Sequence, residues 1–160
     1  MDQTFTYVSI MQQSLERKKK YLQDILNITK EQETIAKGKK FDDASFERTI
    51  DDKEILINNV NEIDKGFTSV YERVRAEVLE NKEIFKQELS AIQRLIRECV
   101  DLGMEIETLE ERNRALLEQA FARGFKGIRQ AKQSKQVASK YYQSMSNGNV
   151  NDSILYDRKK

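Results

Sequence analysis

The sequence predicts an all-α protein, an antiparallel bundle of about three long helices with the last helix overhanging. The chain has no proline and only 6 glycines in 160 residues, and these two residue types are the ones that interrupt helices. Three segments also repeat apolar residues at steps of three and four, the spacing of one helical face. We expect a helical domain over residues 1–140 and a flexible C-terminal tail over residues 141–160.

The first predicted helix runs from about Thr4 to Lys37. Its apolar stripe is wide, which suits a helix that packs against two neighbours. Gly38 follows it and can take the left-handed conformation that often ends a helix. The basic run from Arg17 to Lys20 is expected to lie on an exposed face. The stripe consists of Val8, Met11, Leu15, Leu22 and Ile25, widened by Tyr7, Tyr21, Ile28 and Ile35.

A short polar turn is expected between the second and third helices, over Leu79 to Glu83. Asp42 and Asp43 supply capping oxygens for the start of the second helix. The third helix is expected to continue to about Ser139. The apolar face of the second helix is Phe46, Ile50, Ile57, Val60, Ile63, Phe67, Val70, Val74 and Val78. That of the third is Phe85, Leu89, Ile92, Ile96, Cys99, Leu102, Ile106, Leu109, Asn113, Leu116 and Ala120.

The unequal lengths of these helices predict an overhang. At about 1.5 Å per residue, the first two would be roughly 50–55 Å long and the third up to about 85 Å. In an antiparallel bundle the second helix then covers the third only to about Ala120, and residues 121–140 project beyond it. Their apolar side chains have no partner left in the chain, which favours an external ligand. These residues are Phe121, Phe125, Ile128 and Val137.

The composition argues against an enzyme. The chain has no histidine, so the commonest general base and the carboxylate–histidine metal sites of bundle proteins are absent. The glycines form no phosphate-binding loop. We therefore expect no catalytic residue, no cofactor and no metal ligand.

Two residues on the apolar face of the third helix are chemically distinctive. We interpret Cys99 as a small core residue and not as a reactive thiol. Asn113 has two interpretations that the sequence leaves open. It is either a polar group that sets the register of the bundle or a contact to the backbone of a partner.

The charge pattern indicates no nucleic-acid partner. The net charge is +1, which gives no overall field to attract nucleic acid or an anionic membrane. One segment, between Glu118 and Asp152, contains basic residues and no acidic ones. We interpret it as a solvated helix end, with RNA or anionic lipid as the alternative ligand. The chain also lacks an apolar run of about 18 residues and a secretory signal, so we expect no membrane insertion and a cytoplasmic location.

Three stretches carry a resemblance to a known family. They are "DDKEILINNVNEIDKGFTSVYERV", "LIRECVDLGMEIETLEERNRALLEQAF" and the closing "SKYYQSM" with "DSILYDRKK". Together they make the chain resemble the FlgN-type flagellar export chaperones, in their Gram-positive form, over nearly its whole length. The matched positions are Lys53, Leu56 and Ile57, then Glu110, Asn113, Leu116 and Leu117, and finally Tyr142 and Gly148.

The resemblance implies a cytosolic helical chaperone without catalytic activity. Such a protein binds unexported hook-associated subunits, the hook–filament junction proteins, and delivers them to the flagellar type III export gate. Its C-terminal part captures an amphipathic terminal segment of the subunit, a form of helix-in-groove recognition. The client-binding residues would be Asn113, Leu116, Leu117, Phe121, Phe125, Ile128 and Val137.

The last residues of the chain form a second candidate contact site. Ile154, Leu155 and Tyr156 make an apolar cluster after a polar spacer. With Tyr142, they are candidates for docking on the export gate or on the body of the chain.

An alternative for the whole protein is a coiled-coil scaffold or dimerisation module without a client. The two functions make different demands on residues 121–140. A client site needs their apolar groups open, whereas a homodimer would pair them.

Overall fold

A computed structural model describes residues 2–122 of the chain, apart from the side chains of Asp2 and Phe121. Three α-helices make up nearly all of this part: α1 (Asp2–Lys37), α2 (Asp43–Glu80) and α3 (Lys86–Ala122). No strand occurs among the described residues. The prediction of an all-α bundle of three long helices is confirmed.

The helices pack side by side and alternate in direction. α1 packs along both α2 and α3, as its wide stripe predicts. At one end of the bundle, Val8 from the start of α1 shares a core cluster with Val78 from the end of α2. At the other end, Ala36 of α1 shares a cluster with Phe46 of α2 and Leu117 of α3. The helices therefore run up, down and up.

The core lies where the sequence periodicity places it. Every residue of the three predicted apolar faces is buried or half-buried. Cys99 is 5% exposed, and its Sγ lies 3.9 Å from the carbonyl oxygen of Leu15. This burial confirms its interpretation as a core residue, and it raises the pKa of the Cys99 thiol to about 11.

The ends of α2 follow from local hydrogen bonds. Asp42 caps the helix: its carboxylate accepts from the Ser45 amide at 3.1 Å and from the Ser45 hydroxyl at 2.7 Å. These bonds hold the pKa of the Asp42 carboxyl below its usual range. The turn to α3 covers residues 81–85, two residues later than predicted, and Phe85 within it is fully buried.

Gly38 ends α1 in a way that the sequence did not predict. Its φ angle is not in the left-handed region, so that expectation is wrong. The Gly38 amide donates to the carbonyl of Ile35 at 3.2 Å. A β-carbon at Gly38 would lie 3.3 Å from the carbonyl oxygens of Ile35 and Lys40. Glycine is therefore favoured here by the close approach of the backbone.

The expectation of an exposed basic run at Arg17 to Lys20 is wrong for two of its lysines. Lys18 is 8% exposed, and its Nζ lies 2.7 Å from Oδ1 of Asp64 on α2. Lys19 donates to the carboxylate of Glu98 on α3, and this bond holds the pKa of Glu98 below its usual range. The reason is that a lysine can bury its alkyl chain while its ammonium reaches a carboxylate. The run thus ties α1 to both of its neighbours.

The structure also bears on membrane spans. None of the three helices within residues 2–122 has an apolar stretch long enough to cross a membrane. The proposed boundary at residue 140 and the continuation of the third helix to Ser139 lie outside the described residues.

Candidate functional site

Side chains from all three helices form a buried polar cluster, which consists of Gln32, Thr49, Lys53 and Glu110. The ammonium of Lys53 on α2 forms an ion pair with the carboxylate of Glu110 on α3. It also donates to Oε1 of Gln32 on α1 at 3.0 Å. The amide nitrogen of Gln32 in turn donates to the hydroxyl of Thr49 at 3.2 Å. One lysine thus links the three helices.

The burial of Lys53 and Glu110 determines the pKa of the lysine and what the ion pair contributes to stability. Lys53 is 2% exposed and Glu110 is 8% exposed, so both charges have lost most of their water. Burial lowers the pKa of the Lys53 ammonium to about 7, because the charged form is the one that water stabilises. The Glu110 carboxylate opposes this effect by favouring the ammonium. A buried pair of this kind adds little net stability, but breaking it is strongly destabilising.

Asn113 lies one helical turn beyond Glu110 and is also buried, at 2% exposure. Its Nδ2 donates to the backbone carbonyl of Thr29 at 3.0 Å, and so it joins α3 to α1. Its Oδ1 has no hydrogen-bond partner among the described residues. Of the two interpretations of Asn113, this geometry matches the one in which the side chain sets the register within the bundle.

The predicted client-binding residues fall into two groups. Within the described part, Asn113 and Leu117 are buried and Leu116 is half-buried against the same core. In this conformation they hold α3 in the bundle and offer little open surface. Phe121 belongs to the last turn of α3, and its side chain is not described. Outside the described residues lie Phe125, Ile128 and Val137, together with the docking candidates Tyr142, Ile154, Leu155 and Tyr156.

All four members of the polar cluster occupy core positions that apolar periodicity does not predict. Gln32, Thr49, Lys53 and Glu110 are polar or charged, and that periodicity registers only apolar residues. A signal was present for Lys53, which follows Ile50 by three residues and precedes Ile57 by four, on the face that the apolar residues define. A long polar side chain at such a position indicates a buried partner.

The residues that carry the family resemblance come together in space. Lys53 and Glu110 form the ion pair, and Asn113 is the next inward-facing residue of α3 after Glu110. Ile57 and Leu117 belong to one core cluster, and Leu56 and Leu116 pack against it. Two segments, residues 53–57 and 110–117, thus meet in one part of the bundle, while the matched Tyr142 and Gly148 lie outside the described residues.

Comparisons with known proteins identify no relative: no family model, curated protein or solved structure matches the chain. Among residues 2–122, no cluster of three or more cysteine or carboxylate side chains is arranged to hold a metal ion.

Proposed function

We propose that this protein is a cytosolic chaperone of the FlgN type. It binds unexported hook–filament junction subunits and delivers them to the flagellar type III export apparatus. The observation that carries the proposal is the convergence of Lys53, Glu110 and Asn113 in the interior of the bundle. The resemblance matches all three positions, and residues that a family shares for structural reasons are expected to meet in this way.

In this proposal, one part of the chain positions α3 and another part contacts the client. The bundle holds α3 in place through Asn113 and Leu117, which are buried against α1 and the core. Phe121, Phe125 and Ile128 then contact the client. An amphipathic segment bound in this way cannot expose its apolar face to other subunits, so the client does not polymerise before export.

A binding experiment with defined components tests this function. The purified protein is mixed with a purified hook–filament junction subunit and separated by size-exclusion chromatography. A complex is expected with the intact subunit, and none with a subunit that lacks its terminal amphipathic segments. If neither subunit binds and the protein alone elutes as a stable dimer, the alternative of a dimerisation module is supported instead.

A further inference from the structure

An open groove lies between the C-terminal halves of α1 and α3. Its volume is about 540 Å³. Leu26 and Leu109 form an apolar base, each 7% exposed, and Met104 beside them is 58% exposed. Met104 is thus a large apolar side chain left open to solvent next to a recess that could shelter it.

The rim of the groove carries charges of both signs. Arg112 of α3 bonds Glu33 of α1, with 2.8 Å between Nη2 and Oε2, so these two charges offset each other. Lys30 of α1 and Glu105 of α3 also line the groove, and neither forms an ion pair within residues 2–122. The groove therefore offers a free cation on one side and a free anion on the other.

We propose that this groove receives the C-terminal tip of the same chain, residues 152–158. In the tip, Asp152 and Asp157 flank an apolar cluster and Arg158 follows them. The cluster consists of Ile154, Leu155 and Tyr156. These apolar side chains would cover Met104 and the base of the groove. The acidic flanks match Lys30, and Arg158 matches Glu105.

The chain is long enough for this contact. Residue 153 lies 31 residues beyond Ala122, and a flexible chain of that length spans roughly 30 Å on average. Thr108 on the rim lies about 21 Å back along α3 from Ala122. If the helix continued unbroken to Ser139, the 14 residues from there to Ser153 would have to be almost fully extended to reach Thr108.

Disulfide trapping in the 160-residue chain tests the contact, because the native thiol does not interfere. Cys99 is 5% exposed, burial raises its pKa to about 11, and the thiolate is the reactive form. The test variant combines Thr108→Cys on the rim with Ser153→Cys beside the tip, and it leaves the apolar residues intact. The control combines Ser153→Cys with Ile55→Cys on α2, a position that is 60% exposed.

Both variants are exposed to oxidised glutathione at low protein concentration, and the intramolecular disulfide is followed by mass. The rim pair is expected to close at least about ten times faster than the control pair. Replacement of Ile154, Leu155 and Tyr156 by serine in the rim variant should slow closure to the control rate. Equal rates for the two pairs, or disulfides formed only between chains, would overturn the inference. Because the trap needs no client, its outcome is independent of the proposed chaperone function.

Discussion

The ammonium of Lys53 and the carboxylate of Glu110 form an ion pair across the interior of the bundle. The two residues lie 57 positions apart in the sequence, and each is held by a different helix. Their burial means that neither charge can be resolvated without opening the bundle. This contact therefore joins α2 to α3 through the interior of the bundle, and its contribution to stability can be measured.

Removing one partner of this pair should be far more damaging than removing both. At pH 6, below the folded pKa of Lys53 of about 7, Lys53→Met or Glu110→Leu alone leaves an uncompensated buried charge, and each is expected to lower the free energy of unfolding by about 3–5 kcal/mol. The double variant should recover most of that loss, because no charge remains buried. Urea unfolding of the four proteins measures the coupling.

The exposed pair of Lys65 and Glu62 supplies the control for this cycle. Both side chains are 76% exposed, and an exposed pair contributes at most about 1 kcal/mol. Losses in the double variant that equal the sum of the two single losses would contradict the coupling of Lys53 and Glu110.

The stability of the protein should rise with pH above neutrality because of Lys53. Its ordinary pKa is 10.5, and burial lowers this to about 7 in the folded chain. Between these values the unfolded chain keeps a proton that the folded chain has lost, so stability increases with pH. Below about pH 7 both states hold the proton, and the burial penalty is constant. The slope contributed by this one group is at most about 1.4 kcal/mol per pH unit.

The measurement is urea unfolding of the wild type and of the Lys53→Met, Glu110→Leu double variant from pH 7 to pH 10. The difference between the two proteins isolates the Lys53–Glu110 pair from the other titrating groups. A difference that does not change with pH would show that Glu110 keeps Lys53 charged throughout.

Cys99 should be inert toward thiol reagents in the folded protein. Burial raises the pKa of this thiol to about 11, so at pH 8 the reactive thiolate is scarce as well as enclosed. Alkylation with iodoacetamide, followed by mass, should proceed only as fast as the bundle opens and should accelerate sharply in urea. Met104→Cys, an exposed position on the same helix, provides the reactive control. Equal alkylation rates at Cys99 and at the introduced cysteine would mean that this part of the core is open.

Asn113 should contribute to stability through its bond to α1. Asn113→Ala removes the donor to the Thr29 carbonyl, and we expect a loss of about 1–2 kcal/mol in the free energy of unfolding, measured in urea. Asn58→Ala, at an exposed position of α2, serves as the control and should have little effect. No loss at Asn113 would show that its side chain is not needed to set the register.

The fold could be predicted because apolar periodicity reports burial directly. Val8, Met11 and Leu15 repeat at the spacing of a helical face, and the core contains all three. The polar cluster could not be predicted in the same way. The ammonium of a lysine on that face, such as Lys53, contacts either solvent or a carboxylate from another helix. The sequence does not show which, because it does not show that Glu110 of α3 lies beside Lys53. Lys18 was misjudged for the same reason, since its partner Asp64 lies on another helix.

The candidate site was predictable only in part. The sequence identified Asn113 as distinctive but left its role open, because a single asparagine fits a bundle core as well as a partner contact. The structure supplies the Thr29 carbonyl as its partner. The prediction that Phe121, Phe125 and Ile128 bind a client concerns side chains outside the described part, and it stays a prediction.

Calorimetric titration of a purified hook–filament junction subunit into the wild type and into the Phe121→Ser, Phe125→Ser, Ile128→Ser triple variant tests the central claim most directly. A matched control replaces three exposed isoleucines of the bundle, Ile10, Ile55 and Ile84, by serine. The account predicts that the triple variant loses binding and keeps the wild-type melting temperature, because it assigns these side chains to the client contact and not to the core, while the control variant still binds. A triple variant that binds the subunit normally, or that melts far below the wild type, would contradict the account.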